Sequence, residues 1–147
     1  MQTRDLMSRN FEVVSRDTHV KEAAIKMRDL DVSVVPVCDG PTLIGVITIR
    51  DIALRLAAEG YDAMLTQVGE IMTRDLTYCY EDQEIEEALT VMESFQIDRL
   101  PVLDRNQRLV GIISRSQIAF RGAGHPAAHP EITVLPNDYA AATAGRR

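Results

Sequence analysis

The chain contains one sequence pattern twice, and this repeat constrains the fold more than any other feature. Residues 5–10 read DLMSRN and residues 70–75 read EIMTRD, a shift of 65 positions. Residues 45–48 read GVIT and residues 111–114 read GIIS, a shift of 66, so the second copy has gained one residue before this motif. A repeat of this length predicts two copies of one structural unit that pack against each other.

Each copy is predicted to fold as strand, helix, strand, strand, helix. The first helix follows from apolar residues spaced i, i+3, i+4, i+7 and i+10, which place one stripe on a helix face. Asp17 and Thr18 offer N-cap oxygens before that helix in the first copy, and Gly60 is a plausible left-handed stop after the second helix. The stripe residues are Val20, Ala23, Ala24, Met27 and Leu30, then Ile85, Ala88, Leu89, Met92 and Phe95.

Turn residues and β-branched runs set the remaining boundaries. Pro36 lies inside one predicted strand and indicates an edge or an interrupted ladder. In the first copy we predict strands at 12–15, 33–38 and 43–48 and a second helix at 49–59. In the second copy we predict strands at 76–80, 98–103 and 109–114, a helix at 84–94 and another from residue 115. The domains are thus 1–60, a linker at 61–69, 70–121, and an Ala/Gly/Pro-rich tail at 122–147.

Size and charge exclude several classes of protein. A chain of 147 residues can bury roughly 68–70% of its unfolded surface, so it needs no disulfide or metal to fold. The net charge of −6 argues against nucleic-acid binding, which depends on neutralising phosphates. No signal peptide or membrane-spanning run is visible, and Cys38 and Cys79 are too few for a disulfide scaffold or zinc site. We expect a cytoplasmic protein with free thiols and no membrane or nucleic-acid partner.

One copy of about 50 residues would bury too little surface to be stable alone. Pairing of the copies about a pseudo-two-fold axis would solve this problem and create two related clefts where they meet. The apolar run at 132–135 in the tail is expected to dock on a partner subunit. The remaining apolar helix surface predicts a homodimer.

The ordered set of Met-[Ser/Thr], stripe helix, apolar-Pro-Val and Gly-apolar-apolar-[Thr/Ser], present twice over residues 3–121, resembles a tandem pair of CBS domains (a Bateman module). The resemblance implies an α/β (α+β) fold of two pseudo-symmetric β-α-β-β-α repeats packed as one module, with two modules in a disc-like dimer. It also implies a regulatory module that binds AMP, ADP, ATP or S-adenosylmethionine between the repeats and signals by conformational change to a regulated protein. No other cofactor is implied.

Asp51 is the principal candidate ligand contact. Thr48 and Asp51 fit a helix capping box, and Ser114 and Gln117 fit it equally well in the second copy. Capping therefore explains both copies without requiring a carboxylate at position 51. A carboxylate can accept hydrogen bonds from both hydroxyls of a ribose, and the resemblance assigns this role to Asp51, with Thr48 in support. Pure capping remains the alternative.

Arginines are the candidates for a phosphate contact. Arg99 stands where the first copy has Val34, so the first copy has the aspartate and the second has the arginine. This complementarity predicts one good site instead of two. Arg50 and Arg115 lie at helix starts, where the helix dipole also favours anions. Surface charge is the alternative for each arginine.

Other candidate contacts are weaker. The adenine is expected near three strand residues, Val14, Val35 and Pro36. The second cleft, empty or holding another ligand, would be lined by Leu100, Pro101, Ser114 and Gln117. No metal site is predicted, and we find no arrangement of nucleophile and base that predicts an enzyme. A ligand-free structural or interaction protein, related to stress, is the competing function.

Overall fold

The computed structural model describes residues 1–122. The prediction that residues 132–135 dock on a partner, like most of the predicted tail, lies outside the described residues.

The first repeat contains a helix and a hairpin at the predicted places. Helix α1 buries Val20, Ala23 and Met27 and stops at Asp31, whose φ of 55° is left-handed. The strand predicted at 12–15 is reduced to Val14, which forms a single parallel bridge with Val37. The elements are α1 (Val20–Leu30), β1 (Val34–Asp39), β2 (Thr42–Thr48) and α2 (Ile49–Asp51).

The helix predicted at 49–59 differs from the prediction in its winding. After one α-helical turn it continues as a π-helical segment, Ile52–Ala57. Gly60 then adopts a φ of 76°, as predicted for a left-handed stop. Periodicity could not reveal the wider turn, because π-helical turns are rare and have no distinct apolar spacing.

The second repeat has the same order of elements. Strand β3 pairs in parallel with β4, which pairs antiparallel with β5. The strand register shifts at Val37/Cys38 and at Val102/Leu103, so each hairpin has an irregularity at the equivalent position. The elements are β3 (Cys79–Tyr80), α4 (Ile85–Phe95), β4 (Arg99–Leu103), β5 (Leu109–Ser114) and α5 (Arg115–Gly122).

The segment that begins each repeat, residues 5–10 or 70–75, packs on the other repeat, and we call it the crossing segment. Leu6 and Met7 lie in the core of the second repeat, whereas Ile71 and Met72 lie in the core of the first. The third α-helix in chain order, α3 (Val68–Ile71), therefore falls partly within the predicted linker yet contributes buried residues. The repeats are units of sequence, but each hydrophobic core is built from both.

Two glycines allow this crossing. A Cβ added at Gly45 would lie 2.7 Å from the backbone oxygen of Thr73, and one at Gly111 would lie 2.9 Å from that of Ser8. Backbone bridges join the same places, Val46 to Thr73 and Ser8 to Ile112. The glycine in each GVIT-type motif is thus explained by close approach of the crossing segment.

The two hairpins also meet directly. One shared cluster joins Val34 and Val46 to Ile97 and Ile112. Val34 therefore faces the second repeat. Arg99 is its counterpart in the second repeat, so by pseudo-symmetry Arg99 is expected to face the first repeat. Within residues 1–122, no helix has the length and apolar character needed to cross a membrane.

Candidate functional site

The turn from β2 into α2 is a complete capping box. The Thr48 N–H donates to Asp51 Oδ2 at 3.0 Å, and the Asp51 N–H donates to Thr48 Oγ1 at 2.9 Å. Both residues are fully buried. The structural role considered from the sequence is therefore present.

The Asp51 carboxylate also reaches across to the segment that begins the second repeat. The Thr73 hydroxyl lies 3.0 Å from Oδ1 and 3.1 Å from Oδ2. Arg55 Nε lies 4.0 Å from Oδ1, and the same guanidinium donates to the carbonyls of Ile71 and Met72 at 3.3 and 3.1 Å. We call Asp51, Arg55 and Thr73 the clasp, because Asp51 and Arg55 hold the crossing segment that contains Thr73.

In the equivalent turn of the second repeat, the side-chain hydrogen bonds of Ser114 and Gln117 stay within residues 114–117. The Ser114 N–H and hydroxyl lie 2.9 and 3.0 Å from Gln117 Oε1, and the Gln117 N–H donates back to Ser114 Oγ at 3.1 Å. The amide oxygen of Gln117 is thus used within its own turn. The two copies therefore differ in the contacts of the side chain at the third helical position (N3). Asp51 contacts the other repeat through Thr73, whereas Gln117 contacts Ser114 of its own turn.

Arg99 is a partly buried cation at the start of β4. It pairs through its backbone with Ser114, at the end of the hairpin where α5 begins. The side chain is about half-buried, and burial lowers the pKa of the guanidinium, partly opposed by Asp98. Among residues 1–122 its guanidinium makes no hydrogen bond or salt bridge. A half-buried arginine without a partner is a suitable contact for an anion.

The other predicted arginines lie elsewhere. Arg50 is exposed on α2. Arg115 points toward α4, where its guanidinium lies 3.9 Å from Glu93. Arg115 and Glu93 line an open groove of about 410 Å³ between α4 and α5, together with Leu89, Ser116, Ile118 and Ala119. Among the described residues, no hydrogen bond or shared ion-pair partner joins Arg50, Arg99 and Arg115.

The predicted apolar contacts are core residues. The side chains of Val14 and Val35 belong to the core of the first repeat, and Leu100 belongs to that of the second. Pro36 is buried and its carbonyl accepts from the Val14 N–H at 3.0 Å, so those backbone groups are paired with each other. Pro101 is likewise buried in β4.

Two residues of the clasp were missed from the sequence. Thr73 belongs to the repeated Met-[Ser/Thr] motif, which was used only as evidence of repetition. Arg55 lies one helical turn after Asp51, a spacing that by itself favours an ion pair. The recurring hydroxyl and this spacing were the signals available.

Comparison with known proteins identifies the family. The sequence profile described as "CBS domain" matches residues 4–58 and 68–123, more than half of the chain. The chain belongs to the CBS-domain family. The two matches make it a CBS pair, which confirms the fold predicted from the repeat.

Relatives of this CBS pair differ in length. The CBS domain-containing protein YhcV of Bacillus subtilis is 35% identical over 132 residues, covering 90% of this chain and 93% of YhcV. A homoserine O-acetyltransferase of Methanosarcina acetivorans is 38% identical over 117 residues, 78% of this chain but 21% of that enzyme. The chain therefore resembles only a fifth of this enzyme.

Solved structures of CBS pairs share the fold. Hypoxic Response Protein I with two coordinated zinc ions is 34% identical with a TM-score of 0.72, covering 82% of this chain and 98% of that one. CBSX2 in complex with AMP is 25% identical with a TM-score of 0.70, over 84% and 96%. The MJ0100 CBS pair with 5′-methylthioadenosine and S-adenosyl-L-methionine is 27% identical with a TM-score of 0.67, over 84% and 97%.

The structure of the first neighbour contains zinc ions. Within the described residues, no group of three or more His, Cys, Asp or Glu side chains is arranged to hold a metal ion. Both cysteines are buried, and burial raises the pKa of Cys38 to about 11 and of Cys79 to about 12. Protonated thiols are poor metal ligands.

Proposed function

We propose that this CBS pair is a regulatory module that binds an adenosine-containing ligand between its repeats. The observation that carries the proposal is Arg99, a half-buried guanidinium without a hydrogen-bond or ion-pair partner among residues 1–122. Its counterpart, Val34, contacts the other repeat. By the pseudo-symmetry of the repeats, Arg99 would direct its charge toward the first repeat. Adenosine compounds bound to two neighbouring CBS pairs support the ligand class.

In this proposal Arg99 contacts the phosphate or other anionic part of the ligand, and Asp51 accepts from the ribose hydroxyls. Thr48 supports Asp51 through the cap that is already formed. Arg50 and Arg115 stay secondary phosphate contacts. The adenine is placed near Val14, Val35 and Pro36, where it would meet a strand surface whose side chains are largely committed to the core.

The second cleft stays a weaker proposal. It would involve Ser114, Gln117, Leu100 and Pro101. Gln117 offers a neutral oxygen that is already engaged by Ser114. We therefore expect one ligand per chain.

Calorimetric titration with AMP, ADP, ATP and S-adenosylmethionine tests the function. We expect Asp51→Ala and Arg99→Gln each to weaken binding of the preferred ligand by about tenfold or more, since hydrogen bonds to charged groups contribute roughly 1.5–3 kcal/mol. Arg28→Gln is the matched control, because Arg28 is exposed on α1 and paired with Asp29. Equal binding by wild type and both site variants would contradict the proposal.

A ligand-free interaction protein is the second candidate, and the buried state of Asp51 favours it. The carboxylate is fully buried and already accepts from Thr48 and Thr73. A melting temperature that no adenosine compound raises would support this function, because a ligand that binds only the folded state must stabilise it.

We also propose a homodimer that acts on a regulated protein in the cytoplasm and has no catalytic activity. Large apolar side chains are exposed on α2 and α4, where Ile49 and Phe95 have exposed fractions of 50% and 42%. Leu54, in the π-helical segment, is 47% exposed. Light scattering at micromolar concentration should give twice the mass of the chain.

A further inference from the structure

We propose that Thr73 competes with the ligand for Asp51, so that binding opens the clasp and releases the segment that leads into the second repeat. This inference rests on the proposed function, because it describes how the same site is regulated. Thr73 is a positioning residue in this scheme and does not itself contact the ligand.

The competition follows from the geometry of the carboxylate. The Thr73 hydroxyl lies within 3.1 Å of both oxygens of Asp51, and Oδ2 also accepts from the Thr48 N–H. Two ribose hydroxyls need the same two oxygens. Because Asp51 is fully buried and the Thr73 hydroxyl contacts both of its oxygens, a diol that binds them would have to displace that hydroxyl.

The crossing segment is the element that such a change would affect. Arg55 holds the carbonyls of Ile71 and Met72, and Thr73 exchanges backbone hydrogen bonds with Val46 at 2.9 and 2.8 Å. This segment packs in the first core but continues directly into β3 of the second repeat. Loss of the Thr73 hydroxyl contact therefore loosens the connection that sets one repeat against the other.

The second repeat provides the internal control. Ser8 is the counterpart of Thr73. Its hydroxyl donates to the Asn10 carbonyl oxygen at 3.4 Å and accepts from the Asn10 N–H at 3.3 Å. The oxygen of Gln117 is engaged by Ser114. The regulatory contact is thus expected only in the first repeat, beside the carboxylate.

The test is AMP titration of wild type, Thr73→Val, Thr73→Ser and Ser8→Ala by calorimetry. Thr73→Val keeps the shape of the side chain and removes the hydroxyl, so we expect AMP to bind about tenfold more tightly. Thr73→Ser restores a hydroxyl and should bind like wild type, as should Ser8→Ala. A merely structural role of Thr73 would leave the affinity unchanged or weaken it.

The outcomes separate the two proposals. If wild type binds AMP and Thr73→Val binds it no more tightly, the competition is wrong and the proposed function stands. If Thr73→Val binds AMP and wild type does not, the clasp is confirmed as the obstacle. If none of the four proteins binds AMP, both proposals fail for this ligand.

A second measurement on wild type covers the case in which Thr73→Val does not fold. Saturating AMP is expected to increase hydrogen exchange of the backbone amides at 71–75, including the Thr73 N–H that donates to Val46. The amides at 6–10 serve as the matched segment and should not change. Unchanged or greater protection at 71–75 with AMP bound would overturn the inference.

Discussion

The two strand-to-helix turns of this molecule have the same cap and different second contacts. In the first turn, Asp51 closes the cap and also accepts a hydrogen bond from Thr73. In the second turn, Gln117 closes the cap through Ser114 of the same turn. The cap needs only an acceptor oxygen, which either side chain supplies. The comparison teaches that the carboxylate serves the contact between repeats, beyond the helix start that both copies need.

The largest expected effect comes from removing the two N3 side chains in turn. Asp51→Ala should lower the free energy of unfolding by about 3 kcal/mol, because it leaves buried donors of Thr48 and Thr73 without this acceptor. Gln117→Ala should cost about 1 kcal/mol, the usual loss of a cap contact. Urea denaturation measures both values. Equal losses would show that the two turns are energetically equivalent.

The paired glycines test whether the crossing segments are equally close. Gly45→Ala and Gly111→Ala should each cost about 1–3 kcal/mol, since the added carbon meets a backbone oxygen that cannot move freely. Arg28→Ala, on an exposed helix face, should change stability by less than about 0.5 kcal/mol. A Gly45→Ala protein as stable as the control would mean that the crossing segment can shift at no cost.

Replacing Arg99 by the residue of the first repeat sharpens the second difference between the copies. Arg99→Val should raise stability by about 0.5–1 kcal/mol, because it replaces a half-buried charge with an apolar side chain. The physical reason is the half-buried guanidinium without a partner among residues 1–122. Thermal denaturation without ligand measures the gain, and a loss of stability would indicate a structural role for Arg99.

The smallest expected effect concerns the two cysteines, one in each repeat. Because burial raises their pKa to about 11 and about 12, native protein at pH 8 should react very slowly with iodoacetamide at both positions. Unfolded protein should react at both, which is the control. The raised values also mean that stability falls as the pH rises above the ordinary thiol value of 9.0. Rapid labelling of native Cys38 alone would show that the repeats differ in local opening.

Periodicity and the internal repeat predicted most of the fold. Helix α4 lies within one residue of its predicted bounds, α1 spans its predicted stripe, and the hairpin strands are close to their predictions, because these elements are set by local apolar spacing and turns. The N-cap of α1 is His19 instead of the predicted Asp17 or Thr18. Strand 12–15 was overestimated, since a single bridge at Val14 is enough to continue the sheet. The π-helical segment and the exchanged cores depend on tertiary packing that spacing does not encode.

The candidate site was predicted in part for the same reason. The cap at Thr48 and Asp51 is a local pattern and was found. Thr73 lies 22 positions from Asp51, and only the fold brings the two side chains together. The exposure of Arg50 and the turn of Arg115 toward Glu93 likewise depend on how the helices pack.

The exchanged segments have a consequence for how such a chain could have arisen. Met7 completes one core and Met72 the other, so a single copy always lacks the piece that its own core needs. A gene encoding one copy would produce a folded protein only by trading leading segments between two molecules. With both copies in one chain, the same exchange is a contact within one molecule, and the two halves can carry different side chains at matching positions.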